Sequence, residues 1–311
     1  MSNIQEKYAK PFLKWAGGKT QLLNQFHNYF PKELKKGELE NYYEPFLGSG
    51  AVFLFIAQKY PIKKAYLSDI NEELVLTFNV VKNDVHSLIK ELKKLKLYYL
   101  SLSEDKREEN YYSIRESYNK EKPKIDFNNY SNSWIVRAAK MIFLNKTCFN
   151  GLFRLNRKGE FNVPFGRYKN PSIMDEANLF HVAGILEKAE IILTDFEKIK
   201  EYVTHNFFIY FDPPYRPISK TSNFTSYSKF EFNEDDQIRL ANLYQELGVN
   251  GNKLMLSNSD PKNEDPSDDF FEKQYYPFNI KRVKANRMIN CKGDRRGAIN
   301  ELIITNYDVE N

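Results

Sequence analysis

The chain carries Asp212-Pro213-Pro214-Tyr215 directly after the apolar run Phe207-Phe208-Ile209-Tyr210-Phe211, which puts an acceptor, a rigid turn and a flat ring at one strand end. Consecutive prolines lack N–H donors and restrict φ to about −65°, so the segment is held extended. In that geometry the Asp212 carboxylate and the Pro213 carbonyl converge on one NH2 group, and the Tyr215 ring offers a stacking face. An amine conjugated to a planar ring is a poor nucleophile until acceptors draw its lone pair out of the ring. The same tetrapeptide also reads as a strand terminator with a turn-forming Asp. Its neighbours have to decide.

Glu44-Pro45-Phe46-Leu47-Gly48-Ser49-Gly50 places two glycines where a strand meets a helix, so a ligand can approach the backbone closely. A dinucleotide fingerprint would need a third Gly at position 53, where Phe53 stands. That excludes a pyrophosphate loop and leaves a cofactor without phosphates. Asp69 follows Gly50 by 19 residues, either to accept from ribose hydroxyls or to cap the helix that begins near Asn71. Ala16-Gly17-Gly18-Lys19-Thr20 ends like a P-loop, but that motif's first Gly would fall at Leu13. The alternative is Trp15 packed near a ligand, with the Gly17-Gly18 turn and Lys19 facing a carboxylate. Phe149 to Arg154 and Asn162 to Lys169 flank the turn at Arg157-Lys158-Gly159 and read as a two-stranded ribbon. Its Asn, Arg and aromatic side chains suit base edges in a major groove, or else form a hydrophilic hairpin without a partner.

The elements that must hold these residues follow from periodicity. Leu22 to Phe30 is predicted helical; a strand at Tyr42 to Phe46, a helix at Ala51 to Tyr60 and a strand at Ala65 to Asp69 open a doubly wound α/β sheet. Helices are then predicted at Glu72 to Lys82, Val85 to Lys96, Glu109 to Asn119, Trp134 to Leu144 and near Asp175 to Lys188. Strands return at Ile191 to Thr194, Phe207 to Phe211, Lys253 to Ser257, Phe278 to Val283 and Ala298 to Thr305. A sheet domain, 1–72 and 188–311, is thus expected to be interrupted by a mostly helical domain at 73–187. The acidic stretch Asp260 to Asp269 reads as a mobile loop.

At 311 residues, two domains are expected. Cys148 and Cys291, the only cysteines, exclude a disulfide framework and show no metal-ligand spacing. The charged N-terminus and the lack of an apolar run near ~18 residues lead to the expectation of a soluble, unprocessed, cytoplasmic protein. The net charge is +5, but it is unevenly spread. Arg137, Lys140, Lys146, Arg154, Arg157, Lys158, Arg167 and Lys169 face only Glu160 within 137–171. Lys281, Arg282, Lys284, Arg287, Lys292, Arg295 and Arg296 face only Asp294 within 281–297, and the rest of the chain is net acidic. Two basic segments on an acidic body suit a polyanion, although a charge run also serves as a solvated face.

PFLKWAGGK (11–19), YYEPFLGSGAVFL (42–54), LSDIN (67–71), NGLFRLNRKGEFNVPFGRYKNP (150–171) and YFDPPYRP (210–217) occur in this order over nearly the whole chain. Together they resemble the Dam-type DNA adenine methyltransferases of the α group. The resemblance implies a Rossmann-like sheet that binds S-adenosylmethionine (AdoMet), a helical target-recognition insert with a DNA-reading β-hairpin, and methyl transfer to a flipped adenine in double-stranded DNA. It assigns Asp212, Pro213 and Tyr215 to catalysis. Trp15, Gly17, Lys19, Glu44, Phe46, Gly48, Gly50, Asp69, Ile70, Asp195 and Asp212 are assigned to AdoMet. Lys14, Asn150, Leu152, Arg154, Pro164 and Arg167 match positions that read GATC, and Phe149 stands where the family often has a wedging Tyr. Lys292 and Arg295 are expected to touch phosphates. No metal is called for, a monomer or weak dimer is expected, and the resemblance admits a cognate restriction endonuclease acting on the same site as a partner.

Family members that read GATATC share much of the hairpin. Methylation of an RNA base or a protein glutamine uses the same acceptor pair, but the basic aromatic hairpin argues against a protein substrate. An inactive DNA-binding protein is the remaining rival, against which Asp212, Asp69 and Lys19 all stand intact.

Overall fold

In the computed structural model, residues 8–216, 232–286 and 298–309 are described. Among these, seven strands form one sheet: β1 (Asn41–Glu44), β2 (Lys64–Asp69), β3 (Ala189–Leu193), β4 (Phe207–Phe211), β5 (Lys253–Ser259), β6 (Asn279–Asn286) and β7 (Ala298–Thr305). Their order is β3-β2-β1-β4-β5-β7-β6. The first five are parallel, and β7 runs antiparallel between β5 and β6. Helices α1 (Leu23–Tyr29) and α2 (Lys32–Lys35) precede β1, and α3 (Ala51–Lys59) follows it. Between β2 and β3 come α4 (Glu72–Ser101), α5 (Glu104–Glu121), α6 (Asn132–Thr147) and α7 (Glu176–Leu186). Then α8 (Glu234–Val249) precedes β5 in sequence, and α9 (Phe270–Gln274) precedes β6. None of the described helices is long and apolar enough to cross a membrane.

Both faces of the sheet are covered, which is why β4 is apolar at every position. Successive side chains point to opposite faces. Tyr42, Phe208 and Tyr210 join a core shared with α1, α3, α4 and α6. Tyr43, Ile209 and Phe211 join a second core with Leu240, Leu243, Tyr244 and Leu247 of α8. Helix α8 was missing from the sequence expectation, although its apolar spacing and its Asn233/Asp236 capping box are the usual signals.

The two helices predicted on either side of Asn83-Asp84 are one kinked helix, α4. Asp84 leaves helical geometry (φ −137°, ψ 40°), and its carboxylate accepts from the Tyr130 hydroxyl at 2.5 Å. The helical insert shares the first core with the sheet, since Leu67, Phe78, Tyr111 and Phe143 belong to one cluster.

Arg137 is 1% exposed and lies inside this cluster, where Nε donates to Glu73 Oε2 at 2.7 Å and Nη2 donates to Glu73 Oε1. Its Nη1 donates to the Tyr118 carbonyl at 3.0 Å, and the guanidinium lies 4.1 Å from the Tyr118 ring centre. One buried fork thereby ties α4, α5 and α6. This corrects the charge reading. Arg137 is structural, Lys140 pairs with Glu121, Arg167 pairs with Glu108, and Arg282 pairs with Asp260 and Glu272.

The stretch 260–269, expected to be mobile, is pinned by polar contacts. Arg282 and Arg216 bind Asp260 and Asp268, while the Asn263 amide exchanges hydrogen bonds with both backbone groups of Asn300.

The N-terminal strap is held by three side-chain amides. Gln58 bonds both backbone groups of Ala9, Asn178 those of Lys10, and Asn145 those of Lys14, at 2.7–3.1 Å. Each amide satisfies a donor and an acceptor, as a neighbouring strand would.

Candidate active site

The order of strands reverses between β1 and β4, and in open α/β sheets the crevice beyond the strand ends at that point is where ligands bind. Glu44 ends β1, Asp69 ends β2, and Asp212 follows β4. All three carboxylates therefore reach the same edge.

Asp212 is held through one oxygen. Lys19, 4% exposed, places Nζ 2.8 Å from Oδ1, and Ser257 Oγ donates to the same atom at 3.0 Å. Among the described residues none donates to Oδ2 or to the Pro213 carbonyl. Burial raises the Asp212 carboxyl above its ordinary range despite the opposing charge of Lys19. The same Nζ lies 4.6 Å from the centre of the Tyr215 ring and donates to the Gly17 carbonyl at 2.7 Å. Tyr215 donates its hydroxyl to Glu301 Oε2 at 2.8 Å, which anchors the tip of the ring. The turn itself is pinned: Gln237 donates to the Pro214 carbonyl at 3.0 Å, and Asn258 accepts from the Arg216 N–H at 3.3 Å. Ser257, Glu301, Gln237 and Asn258 were not found by sequence reasoning, because their relation to Asp212 exists only across β4, β5, β7 and α8.

Asp69 organises the glycine loop. Oδ2 accepts from Gly48 N–H at 3.1 Å and Oδ1 from Asn71 N–H at 2.9 Å, while Asn71 is the residue that caps α4. Gly48 and Gly50 both have positive φ; Cβ atoms there would stand 3.3 Å from the Trp15 ring and 3.2 Å from the Phe78 ring. Glu44 is buried, accepts the Tyr42 hydroxyl at 2.7 Å, and is raised well above its ordinary value by burial, with Asp212 and Asp69 adding to the shift. Burial raises Asp69 to about 6.

This sets a pH dependence. A folded carboxyl raised from 3.8 to about 6 keeps a proton that the unfolded chain has released, so its stabilising contribution is full below about pH 4 and lost as pH rises through 6. Ligand-free protein is expected to lose stability across that window in urea titrations, and Asp69→Asn to flatten the slope. An unchanged slope would count against the raised value.

Further along the edge, Ile70 is 42% exposed. Asp195 follows β3, with Phe46 stacked on Phe196 at 5.5 Å and Phe232 edge-on to Phe46 at 5.7 Å. A cluster of aromatic rings thus adjoins an acidic residue.

The expected ribbon is an irregular hairpin with only two isolated bridges, Cys148 with Phe165 and Leu155 with Phe161. Helix α5 takes the place of a sheet: Asn119 bonds both backbone groups of Phe161, while Tyr111 and Arg115 donate to the Val163 carbonyl. Phe153, Phe161, Val163 and Phe165 face inward. Phe149 (53% exposed), Asn150, Arg154, Pro164 and Arg167 face solvent, and Leu152 is half-buried. Arg154 is oriented by Asn162 Oδ1 at 2.8 Å. Trp15 stacks on Phe153 at 5.1 Å, and the Lys14 ammonium lies 5.4 Å from the Tyr168 ring centre, so the strap joins the hairpin to the crevice. Lys292 and Arg295 lie outside the described residues.

Residues 15–289 match the family described as D12 class N6 adenine-specific DNA methyltransferase. The chain is similar to the type II methyltransferase M.MjaIII of Methanocaldococcus jannaschii, 56% identical over 299 residues that cover 96% of this chain and 99% of that protein. It is 36% identical over 305 residues to the type II methyltransferase M1.LlaDCHI of Lactococcus lactis, covering 96% and 95%. It is 34% identical over 295 residues to a DNA adenine methylase of Haemophilus influenzae, covering 94% and 92%.

Proposed function

Since the chain belongs to the D12 class N6 adenine-specific DNA methyltransferases, we propose that it methylates adenine within GATC in double-stranded DNA after flipping the base into the crevice at Asp212. The observation that carries this is the acceptor pair, Asp212 Oδ2 and the Pro213 carbonyl, beside the ring of Tyr215, which Glu301 anchors at its hydroxyl. A flipped adenine stacks on Tyr215 and presents its amino group to both acceptors, which offsets the few kcal/mol that unstacking costs.

The residues present fit AdoMet. Glu44, Asp69 and Asp212 gather three carboxyls at one edge with Lys19 placed on only one of them, which favours a ligand of positive charge. The positive φ of Gly48 and Gly50 shapes the loop at this edge, Asp69 stands where ribose hydroxyls would donate, and Ile70, Asp195 and Phe46 lie beside it. Trp15 and Gly17 close the crevice from the strap. When bound, AdoMet supplies an electrophilic methyl group. The chain's own part is positional and electrostatic: Lys19 and Ser257 hold Asp212 so that Oδ2 accepts from the amine, and the rigid turn keeps the Pro213 carbonyl in reach.

Residues 73–187 are the target-recognition unit in this reading, with Lys14, Asn150, Leu152, Arg154, Pro164 and Arg167 toward the bases and Phe149 as the wedge. Lys292 and Arg295 contact phosphates. The work is done in the cytoplasm, alongside an endonuclease of the same specificity. The test is tritiated methyl incorporation into unmethylated GATC and GATATC duplexes, tRNA and protein. Label in GATC supports the reading; label confined to GATATC moves the site, and label only in tRNA or protein overturns it. Arg154→Ala is expected to lower discrimination between cognate and random duplex by about ten-fold or more, the worth of one bidentate base contact. An equal loss on both duplexes would refute a reading role.

A further inference from the structure

Asp195 uses a single oxygen within the protein. Its Oδ1 accepts from the Glu197 N–H at 3.0 Å and from Arg239 Nη2 at 3.2 Å, and among the described residues none donates to Oδ2. Arg239, on α8, also donates to Glu197 Oε2 at 2.7 Å and to Asp236 Oδ1 at 2.7 Å. Its guanidinium lies 4.9 Å from the centre of the Phe196 ring, the ring on which Phe46 stacks. One planar fork therefore braces the carboxylate, the turn that carries it and the Phe196 ring beside it. The register of β2 with β3 pairs Asp69 with Leu193, so Ile70 and Asp195 emerge at the same edge as Asp69.

We infer that Arg239 is a positioning residue for base selectivity toward the cofactor: by occupying Asp195 Oδ1 it reserves Oδ2 as an acceptor for the 6-amino group of an adenine and against a 6-oxo purine. The chemistry is one of sign. An ionised carboxylate has acceptors only, so it accepts from an exocyclic amine and faces an exocyclic oxygen acceptor to acceptor. Without Arg239 only the Glu197 N–H still holds Oδ1, so the carboxylate is less firmly oriented and the preference weakens. The inference rests on the AdoMet reading of this edge.

The experiment is calorimetric titration of the full chain with S-adenosylhomocysteine and with S-inosylhomocysteine, which differ at position 6 of the purine. Wild type is expected to bind the adenine compound at least about ten-fold more tightly, as for loss of one hydrogen bond to a charged group. Arg239→Ala is expected to weaken the adenine compound about ten-fold and leave the inosine compound nearly unchanged, so that the ratio collapses. Arg239→Lys keeps the charge without the fork and is expected to recover part of the ratio. Asp195→Asn, whose amide can donate to O6, is expected to narrow the ratio by itself. Equal weakening of both compounds by Arg239→Ala, with the ratio kept, would show a merely structural role and overturn the inference. Wild type that binds neither compound would overturn the AdoMet assignment and the inference together.

Discussion

Replacement of Asp212 by Asn is expected to lower single-turnover methyl transfer by about 10^2–10^3-fold or more, the scale on which loss of one preorganised polar group is felt, with DNA binding retained. The reason lies in the asymmetry of the carboxylate. Lys19 and Ser257 both donate to Oδ1, so an amide at this position must put its oxygen there and its NH2 group where Oδ2 stood. That NH2 group then faces the incoming amine donor to donor. Lys19 keeps its acceptor, so the buried ammonium is not orphaned and the fold stands. Asp212→Ala is expected to abolish transfer as well, but it leaves Lys19 with the Gly17 carbonyl alone and lowers stability too. Fluorescence anisotropy with a labelled duplex separates the two effects. An Asn variant within ten-fold of wild type would remove Asp212 from the mechanism.

Arg137→Ala is expected to cost about 3–5 kcal/mol in urea unfolding, because it strands the Glu73 carboxylate in a dry core. The double variant Arg137→Met with Glu73→Leu is expected to lose much less, since no charge is then left unpaired and the volumes are similar. The pair therefore separates the cost of breaking the bridge from its net worth. A double variant as unstable as Arg137→Ala alone would show that the fork itself, including its bond to the Tyr118 carbonyl, holds α4, α5 and α6 together.

Much of this was legible in the chain because it rests on local pattern. The apolar β4 run, the Gly48-Ser49-Gly50 turn and the acid at β2 predict a doubly wound sheet and its ligand edge. Long-range partners were not legible. Arg137 looked like part of a basic face because charge counting cannot see Glu73, 64 positions away in sequence, and the same limit hid Arg282 from Asp260. The hairpin looked like a ribbon because the turn at Arg157-Lys158-Gly159 joins two segments rich in Asn, Arg and aromatic residues. What that pattern could not show is that Asn119 and Tyr111 supply the hydrogen bonds that a regular second strand would have made. Helix α8 was overlooked between two strands, and with it Gln237 and Arg239, which brace the turn after Asp212 and the carboxylate of Asp195.

The strap at residues 8–19 has a thermodynamic consequence. Three amide clamps hold it to the body of the protein, and its far end touches both the glycine loop, through Trp15, and the hairpin, through Lys14 and the stacked Phe153. In the proposed reading methyl donor and DNA both meet the strap, so a coupling between the two ligands is expected. Linkage then requires reciprocity: the factor by which donor analogue changes DNA affinity equals the factor by which DNA changes analogue affinity, and loosening the clamp with Asn145→Ala drives both toward one.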